Sequence, residues 1–161
     1  MELRNFDDFY RTHRDEIGRA LTFTLGDAGL GQEAVDEAMT RAYQRWDTLA
    51  ATENPAGWVY VVGRRWGLSW RRSRRRERRR EELVADLSLS EAPDPATQEY
   101  VDLMRALSEL SVDHRTVVVC RFSLGLSVRE TAELLEIGEG TVKSRLSRSI
   151  DRLRTTIEAN P

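Results

Sequence analysis

Residues 126–154 read LSVRETAELLEIGEGTVKSRLSRSIDRLR, and this stretch decides the fold. Ser127 followed three residues later by Glu130 is the capping-box pattern of a helix start. Ala132, at the centre of that helix, is small enough for a second helix to cross closely. The segment 136–138, Glu-Ile-Gly, predicts a short turn before the next helix begins. The stretch therefore indicates two helices joined by a tight turn.

The second of these helices has one apolar stripe and a polar remainder. The predicted buried side repeats at helical spacing and consists of Val142, Leu146, Ile150 and Leu153. The other faces carry hydroxyls and cations, which reach phosphates and base edges in DNA-binding proteins. The candidate duplex contacts are Arg129 of the first helix and Thr141, Lys143, Ser144, Arg145, Ser147 and Arg148 of the second. This pattern indicates a helix-turn-helix DNA reader. Within it we predict that Arg145 reads a base and that Arg148 contacts phosphate. The alternative is a helical hairpin whose polar face only meets water.

Helical periodicity runs through nearly all of the remaining chain and predicts an all-α fold. Two N-terminal helices with apolar stripes are separated by a break at 25–29, and a loop at 47–54 precedes a long helix that reaches about Arg80. The run 116–120, Thr-Val-Val-Val-Cys, favours a strand by propensity. We predict a helix there instead, because helices follow it and leave no partner strand. Tyr43 is predicted to lie on the buried stripe of the second helix.

The region between the two halves is acidic and contains two prolines. Residues 81–98 hold Pro93, Pro95 and acids without a base, so they predict a flexible linker. The chain is therefore divided into two small helical domains, 1–80 and 99–161. One cysteine, Cys120, excludes a disulfide framework, fits a reducing cytoplasm and is predicted to be a small core residue.

Charge is arranged in blocks that the formal net charge of −2 conceals. Residues 64–80 contain ten arginines and one glutamate, whereas residues 81–102 contain seven acids and no base. The first block predicts binding to a polyanion, and the second can shield it in the free chain. Trp58, Trp66 and Trp70 lie in or beside the basic block. Aromatic faces stack on unpaired bases while arginines follow the backbone, although a core role for these tryptophans is the alternative.

Several classes of function are not supported by the sequence. No apolar run is long enough to cross a membrane, and the N-terminus does not resemble a secretory signal. Two histidines with one cysteine do not make an ordinary zinc site. No catalytic constellation or glycine-rich phosphate loop is present. We therefore expect a cytoplasmic protein with no cofactor, no metal, no small-molecule substrate and no enzymatic activity.

The C-terminal half resembles region 4 of the extracytoplasmic-function (ECF) sigma factors of bacterial RNA polymerase. Its sequence is similar to that of the actinobacterial members. The resemblance rests on EGTVKSRL at 139–146, with LS at 126–127 and ETA at 130–132, and extends back to about Leu103. It implies that this half reads the minus-thirty-five promoter element as duplex. Glu136 stands where the family usually has glycine, at a left-handed cap position.

The N-terminal half resembles sigma region 2. FDDFYRTHRDEI at 6–17 is similar to its opening helix, and GQEAVDEAMTRAYQRW at 31–46 is similar to the acidic helix that binds the polymerase clamp. The implied polymerase contacts are Gln32, Glu33, Asp36, Glu37, Thr40 and Arg41. Residues 55–72 are similar to the promoter-melting helix, with Arg65 and Ser69 in place of the usual asparagine and aspartate. The implied minus-ten contacts are Asn54, Trp58, Tyr60, Arg64, Arg65, Trp66, Trp70, Arg71 and Arg72.

The resemblance implies an alternative sigma factor with three partners: core RNA polymerase, promoter DNA as duplex and melted strand, and an anti-sigma factor. Two other functions stay open on the residues alone. One is a helix-turn-helix regulator that binds duplex DNA without polymerase. The other is a sigma-like protein that blocks the polymerase.

Overall fold

The computed structural model describes residues 5–80 and 98–159, and for residues 78–80 it describes the backbone alone. Within these ranges the secondary structure is entirely helical, which confirms the predicted all-α class. The helices are α1 (Phe6–Leu25), α2 (Ala28–Gln44), α3 (Trp46–Leu49), α4 (Pro55–Arg80), α5 (Gln98–Ser108), α6 (Val112–Phe122), α7 (Val128–Leu135) and α8 (Glu139–Ala159). The predicted linker lies outside the described residues, apart from Gln98.

The break between α1 and α2 has a specific cap on each side. Gly26 ends α1 in the left-handed conformation, with φ 72°, and its N–H donates to the Thr22 carbonyl at 2.8 Å. Asp27 begins α2 by accepting a hydrogen bond from the Leu30 N–H at 2.9 Å. The predicted break at 25–29 is thereby confirmed. The predicted loop at 47–54 is partly wrong, because its first residues belong to the single helical turn α3.

Helix α4 crosses α1 at unusually short range because two glycines face the crossing. A Cβ on Gly63 would lie 2.7 Å from Leu21 Cδ1, and a Cβ on Gly67 would lie 2.5 Å from Leu25 Cδ1. Both leucines are fully or almost fully buried. Side chains at the two glycine positions would therefore push α4 away from α1. This crossing, with α2 packed against both helices, forms the core of the N-terminal unit (5–80).

The C-terminal unit (98–159) contains the predicted helix-turn-helix. Both halves of the capping box are present: Ser127 Oγ accepts from the Glu130 N–H, and Glu130 Oε1 accepts from the Ser127 N–H, each at 3.0 Å. Helix α7 ends at Leu135 and is capped by Glu136, the one described non-glycine residue with positive φ, at 56°. The left-handed cap predicted at this glutamate is confirmed. Val142 at the start of α8 packs on Ala132 of α7, as the small alanine predicted.

Two residues that the apolar stripes place inside the protein lie at its surface. Ile150 on α8 is 37% exposed, and Ser149 beside it takes the buried position at 0%. Tyr43 on α2 is 67% exposed, with its ring edge-on to Phe6 at 5.2 Å. Helical periodicity locates the buried side of a helix only to within about one residue. On α8, the packing of neighbouring helices buries Ser149 in place of the adjacent Ile150.

The two units pack directly against each other. Val119 and Cys120 of α6 belong to the same buried cluster as the core residues of α1, α2 and α4. Conversely, Phe23 of the N-terminal unit packs against Leu107 and Val118 of the C-terminal unit. The predicted core position of Cys120 is confirmed, and its burial raises the pKa of the thiol to about 12. The sequence did not predict this contact between the units.

We expect replacement of Glu136 by glycine to stabilise the protein. A side chain in the left-handed region costs roughly 1–2 kcal/mol, and glycine avoids that cost at a smaller entropic penalty. Glu136→Gly should therefore raise the free energy of unfolding by up to about 1 kcal/mol. Glu133→Gly, inside α7, is the matched control and should lower it by about 0.5–1 kcal/mol. Urea unfolding followed by circular dichroism measures both, and a loss of stability in Glu136→Gly would contradict the cap assignment.

Candidate nucleic-acid and polymerase interface

The outward side of α8 carries most of the predicted duplex contacts. Val142 is fully buried, which fixes the orientation of the helix on the rest of the unit. The exposed members of the predicted set on this helix are Thr141, Lys143, Ser144, Ser147 and Arg148. Arg129 on α7 is also exposed and pairs with Glu133, Nε to Oε1, at 3.2 Å. The structure therefore presents a continuous polar and cationic face.

Arg145 and Arg148 differ in their position around α8. At about 100° per residue, Ser144 and Ser147 lie on the side opposite Val142, and Arg148 lies next to them. Arg145 lies only about 60° from Val142 and is accordingly half-buried. A groove-facing side chain has to leave the helix on the side away from the core. The geometry favours Arg148 over Arg145 for that position.

Tyr60 belongs to the core, so its predicted contact with the minus-ten strand is wrong for this structure. Its side chain is fully buried, and its hydroxyl lies 2.6 Å from Thr24 Oγ1 in a hydrogen bond between α4 and α1. Burial raises the pKa of the phenol, with the neighbouring Cys120 adding to the effect. A neutral, hydrogen-bonded phenol at this depth cannot stack on a base.

Arg64 and Arg71 point toward the protein, contrary to the prediction that they bind DNA. Arg64 donates from Nε to Thr116 Oγ1 at 2.8 Å and from Nη2 to Asp113 Oδ1 at 3.0 Å, both on α6. Arg71 donates to the carbonyl oxygen of Leu25 at the end of α1. Burial, followed by the nearby Arg75, lowers the pKa of Arg71. In the described structure both arginines are engaged by protein groups.

The tryptophans of α4 separate into two environments. Trp58 and Trp66 are partly buried and pack against the N-terminal core. Trp70 is 37% exposed, and the guanidinium of Arg74 lies 5.2 Å from its ring centroid. The alternative core role therefore applies to Trp58 and Trp66, while Trp70 lies at the surface.

The remaining predicted minus-ten residues lie at the start and along the outer side of α4. Asn54 caps the helix, accepting from the Gly57 N–H at 2.9 Å. Arg65 and Arg72 are exposed. Between α4 and the facing α7 runs a groove of about 350 Å³, lined by Thr52, Asn54, Trp58, Val61, Val62, Arg65, Leu134 and Glu136. Part of the candidate minus-ten surface therefore faces the helix-turn-helix.

The acidic face of α2 is partly neutralised from within the protein. Arg14 of α1 donates to Asp36 Oδ1, at 2.9 Å from Nη2, and to Gln32 Oε1 at 2.6 Å. Glu37 pairs with Arg41 at 3.1 Å, one helical turn further along. The Thr40 hydroxyl donates back to the Asp36 carbonyl. Glu33 is exposed, and none of the hydrogen bonds or ion pairs within the described ranges involves it. Of the acids on this face, Glu33 is the most available to a partner.

Two arginines that the sequence analysis missed hold elements together. Arg14 joins α1 to the acidic face of α2. Arg115 of α6 donates from Nε to the Thr24 carbonyl at 3.0 Å and from Nη1 to the Leu110 carbonyl at 3.0 Å. Burial, followed by the charge of Arg71, lowers the pKa of Arg115. Thr24 and Arg115 are 91 positions apart, so no local pattern could reveal this contact.

Comparison with known proteins identifies the family. The family model for sigma-70 region 4 matches residues 100–153. The ECF RNA polymerase sigma factor SigL of Mycobacterium tuberculosis is 31% identical across 92% of this chain and 86% of its own length. The RNA polymerase sigma-E factor of Streptomyces coelicolor is 33% identical across 98% of this chain and 89% of its own length. The chain belongs to the ECF family of RNA polymerase sigma factors.

The fold of this ECF sigma factor is shared with a solved relative. Sigma factor RpoE of Bartonella quintana, crystallised with the anti-sigma factor NepR, aligns with a TM-score of 0.81 at 21% identity, over 99% of this chain and 100% of that one. The alignment spans both helical units. Among residues 5–80 and 98–159, no helix is long and apolar enough to cross a membrane, and no three potential metal ligands cluster.

We expect Tyr60→Phe to destabilise this ECF sigma factor by about 1 kcal/mol, because it removes one buried hydrogen bond and leaves Thr24 Oγ1 with a single partner. The Thr24 hydroxyl still reaches the Ala20 carbonyl at 3.0 Å, which limits the loss. Tyr43→Phe is the matched control, since that hydroxyl is at the surface, and it should change stability by less than about 0.5 kcal/mol. Urea unfolding followed by tryptophan fluorescence compares the two. Equal urea midpoints for Tyr60→Phe and Tyr43→Phe would show that the Tyr60 hydroxyl does not contribute to stability.

Proposed function

We propose that this ECF sigma factor binds core RNA polymerase through α2, reads duplex DNA with α8 and holds the melted minus-ten strand along α4. Family membership supports the function as a whole. The structural observation that supports a separate role for each helix is that α2, α8 and α4 present three chemically different surfaces. The face of α2 is acidic, α8 presents hydroxyls and cations, and α4 ends in arginines. The protein itself performs no covalent chemistry and acts in the cytoplasm, beside the chromosome.

Binding to core polymerase is assigned to Glu33, with Glu37 beside it. Asp36 and Gln32 already have an intramolecular partner in Arg14, so a basic partner surface would have to compete for them. Glu33 has no such competitor in the described ranges. Charges at the rim of an interface chiefly set the association rate and its salt dependence. The acidic face therefore suits a first encounter with a basic surface on the polymerase.

Capture of the minus-ten strand is assigned to the outer side of α4 and to Trp70. Trp70 is the exposed ring and lies with Arg74, whereas the exposed cations Arg65 and Arg72 lie about 140–160° further around the helix. An aromatic ring gives roughly 1–3 kcal/mol per stacked base, and cations follow the backbone phosphates. Trp58 borders the groove beneath α7 and becomes available only when that groove is open. The buried Tyr60 is excluded from this surface.

An anti-sigma partner is proposed for this chain on the basis of fold. The aligned RpoE chain was crystallised with an anti-sigma factor, and the alignment covers both units. The compact packing of the two units seen here would offer such a partner a single combined surface.

In vitro transcription from a randomised promoter library tests the function. Purified protein is added to actinobacterial core polymerase, and the transcripts are sequenced. A sigma factor should select start sites with a shared upstream sequence. Selection of duplex DNA without polymerase, and no transcripts, would favour a stand-alone regulator. If the protein lowered transcription by an added housekeeping holoenzyme and produced no new start sites, the result would favour a protein that blocks the polymerase.

Charge reversal on α2 should weaken polymerase binding. We expect Glu33→Arg, alone and with Glu37→Arg, to lower the affinity for core polymerase and to reduce its salt dependence, because a favourable contact becomes a repulsive one. Fluorescence anisotropy of the labelled protein measures the binding. Glu158→Arg introduces the same charge change at the exposed end of α8 and serves as the control. Equal affinities for all three variants and the wild type would place the polymerase contact elsewhere.

The two arginines of α8 should differ in how they affect promoter choice. From sequence, Arg145 was predicted to read a base and Arg148 to contact phosphate; the orientation of α8 leads us to propose the reverse. Arg148→Ala should cost roughly 1–3 kcal/mol at one promoter position and relax the preference there. Arg145→Ala should weaken binding to all promoter sequences alike. It should also reduce, by about 1, the slope of log affinity against log salt concentration. Transcription from selected promoters and their single-base variants, at several salt concentrations, distinguishes the two. If Arg148→Ala lowered transcription equally from every promoter variant, the prediction from sequence, with Arg145 reading the base, would stand.

A further inference from the structure

Exposed aromatic rings lie beside the acidic face of α2, and none of the functions assigned above uses them. Tyr43 on α2 is 67% exposed, and Tyr10 on α1 is 38% exposed. The partly buried Phe6 lies between them, with its ring centroid 5.2 Å from that of Tyr43 and 6.1 Å from that of Tyr10. We call Phe6, Tyr10 and Tyr43 the aromatic patch. Large rings exposed side by side are typical of a surface that binds another protein.

The aromatic patch is continuous with the acidic face of α2. Phe6, Tyr10 and Arg14 follow one another at spacings of four residues, so they share one side of α1. Tyr43 and Asp36 are seven residues apart, which places them about 20° apart around α2 and about 10 Å apart along it. Ring contact joins the two helices at Phe6 and Tyr43, and Arg14 joins them one end further on by donating to Asp36 at 2.9 Å. The aromatic patch and the acids therefore lie along a single seam between α1 and α2.

The Tyr43 ring is held in position by other rings. It meets the Phe6 ring edge-on, at an interplanar angle of 67°. Phe6 packs edge-on against Trp46 at 5.5 Å, and Trp46 contacts the buried Phe9 at 4.9 Å. Edge-to-face pairs are favourable, and a tyrosine side chain has few torsions to fix. A ring that is already ordered in this way loses little conformational entropy when a partner covers it.

The charges around the aromatic patch decide which kind of partner it fits. Asp7 and Asp8 in the first turn of α1 are exposed next to Phe6, and Asp36 is exposed along the seam. Carboxylates repel the phosphates of DNA. A second copy of this chain, bound symmetrically, would bring the same acids together and be repelled as well. The surface fits a protein with an apolar pocket surrounded by cations, and core RNA polymerase is the partner to which the acidic face of α2 is assigned.

We propose that the aromatic patch is the apolar anchor of the contact with core RNA polymerase, with the Tyr43 ring buried in a pocket of the polymerase. The proposal rests on the assignment of α2 to core polymerase. A few well-packed residues, often tyrosine, dominate the binding energy of most interfaces, and the contacts around them mainly exclude water. Glu33 and Glu37 then form the charged rim that guides the encounter, while Tyr43 keeps the complex together.

An anchor and a rim charge affect different rate constants. Most changes at the centre of an interface act on the dissociation rate, whereas changes in rim charge act on the association rate and its salt dependence. Tyr43→Ser should therefore raise the dissociation rate by roughly 10- to 100-fold and change the association rate by less than about threefold. Glu33→Arg should mainly lower the association rate.

The variants are chosen to separate binding from folding. Serine has a helix propensity close to that of tyrosine, and the Tyr43 side chain is at the surface, so Tyr43→Ser should keep its helical circular dichroism. Tyr43→Phe retains the ring and should dissociate within about threefold of the wild-type rate. Phe122→Ser removes a ring of similar exposure, 65%, from α6 and serves as the matched control. Its affinity for core polymerase should change by less than about twofold.

The test uses the full chain and core polymerase without DNA. Stopped-flow anisotropy of the chain, labelled at its C-terminus, gives the association rate at several salt concentrations. Competition with unlabelled chain gives the dissociation rate. Sedimentation velocity of the free chain reports whether it associates with itself.

Three results would overturn the proposal. The first is an unchanged dissociation rate in Tyr43→Ser while Glu33→Arg still weakens binding, which would leave the assignment of α2 intact. The second is a loss in Tyr43→Phe as large as that in Tyr43→Ser, since the ring would then not be the anchor. The third is a dimeric wild type and a monomeric Tyr43→Ser, which would show that a second copy covers the patch. Failure of the proposed function has a different signature, because neither Glu33→Arg nor Tyr43→Ser would then alter polymerase binding.

Discussion

The structure depends on one helix, α6, whose five central residues, 116–120, are all buried. Its consecutive residues enter different cores: Val117 packs inside the helix-turn-helix, Val118 packs against α5, and Val119 and Cys120 enter the core of α1, α2 and α4. A helix with apolar residues all round has to be buried all round. The β-branched run that favours a strand by propensity is therefore required by packing, because short branched side chains allow three sets of helices to approach one axis. Val119 and Cys120 are the residues of the C-terminal unit that are buried inside the N-terminal core.

Arginine has two distinct roles in this chain, and composition alone does not separate them. Arg14, Arg64, Arg71 and Arg115 bind protein carbonyls, hydroxyls or carboxylates and join one helix to another. Arginine suits such sites because its planar fork donates in several directions at once and stays charged when partly buried. Among the described side chains further along α4, those of Arg72, Arg74, Arg75 and Arg76 make no hydrogen bond or ion pair with another helix. The described part of the basic block is therefore structural at Arg64 and Arg71 and exposed beyond them.

Sequence reasoning was most successful where the signal is local. The capping box at Ser127, the left-handed cap at Glu136 and the break at Gly26 each depend on residues within one helical turn, and all are present. It failed where the partner is distant: Tyr60 reads as an interfacial aromatic until Thr24, 36 positions earlier, is placed against it. The exchange of Ile150 for Ser149 has the same origin, since only the neighbouring helices determine which of two adjacent residues is enclosed. The contact between the units could not be predicted, because none of its residues forms a pattern by itself.

The outer face of α4 indicates how this ECF sigma factor differs from the family pattern. By the resemblance to sigma region 2, Arg65 and Ser69 stand where the family usually has asparagine and aspartate, and both are exposed. With Arg72 and Arg76 they form a single stripe at spacings of four, three and four residues, so all four lie on one side of the helix. Asparagine and aspartate offer acceptors to base edges, whereas guanidinium groups are pure donors that match phosphates. A strand held along this stripe would be bound through its backbone, and selectivity would have to come from stacking and from α8. Because phosphate contacts release counterions, binding to such a surface depends steeply on salt. If α4 holds the melted strand, Arg65 favours a phosphate contact at its position, whereas the Ser69 hydroxyl can still donate to or accept from a base edge.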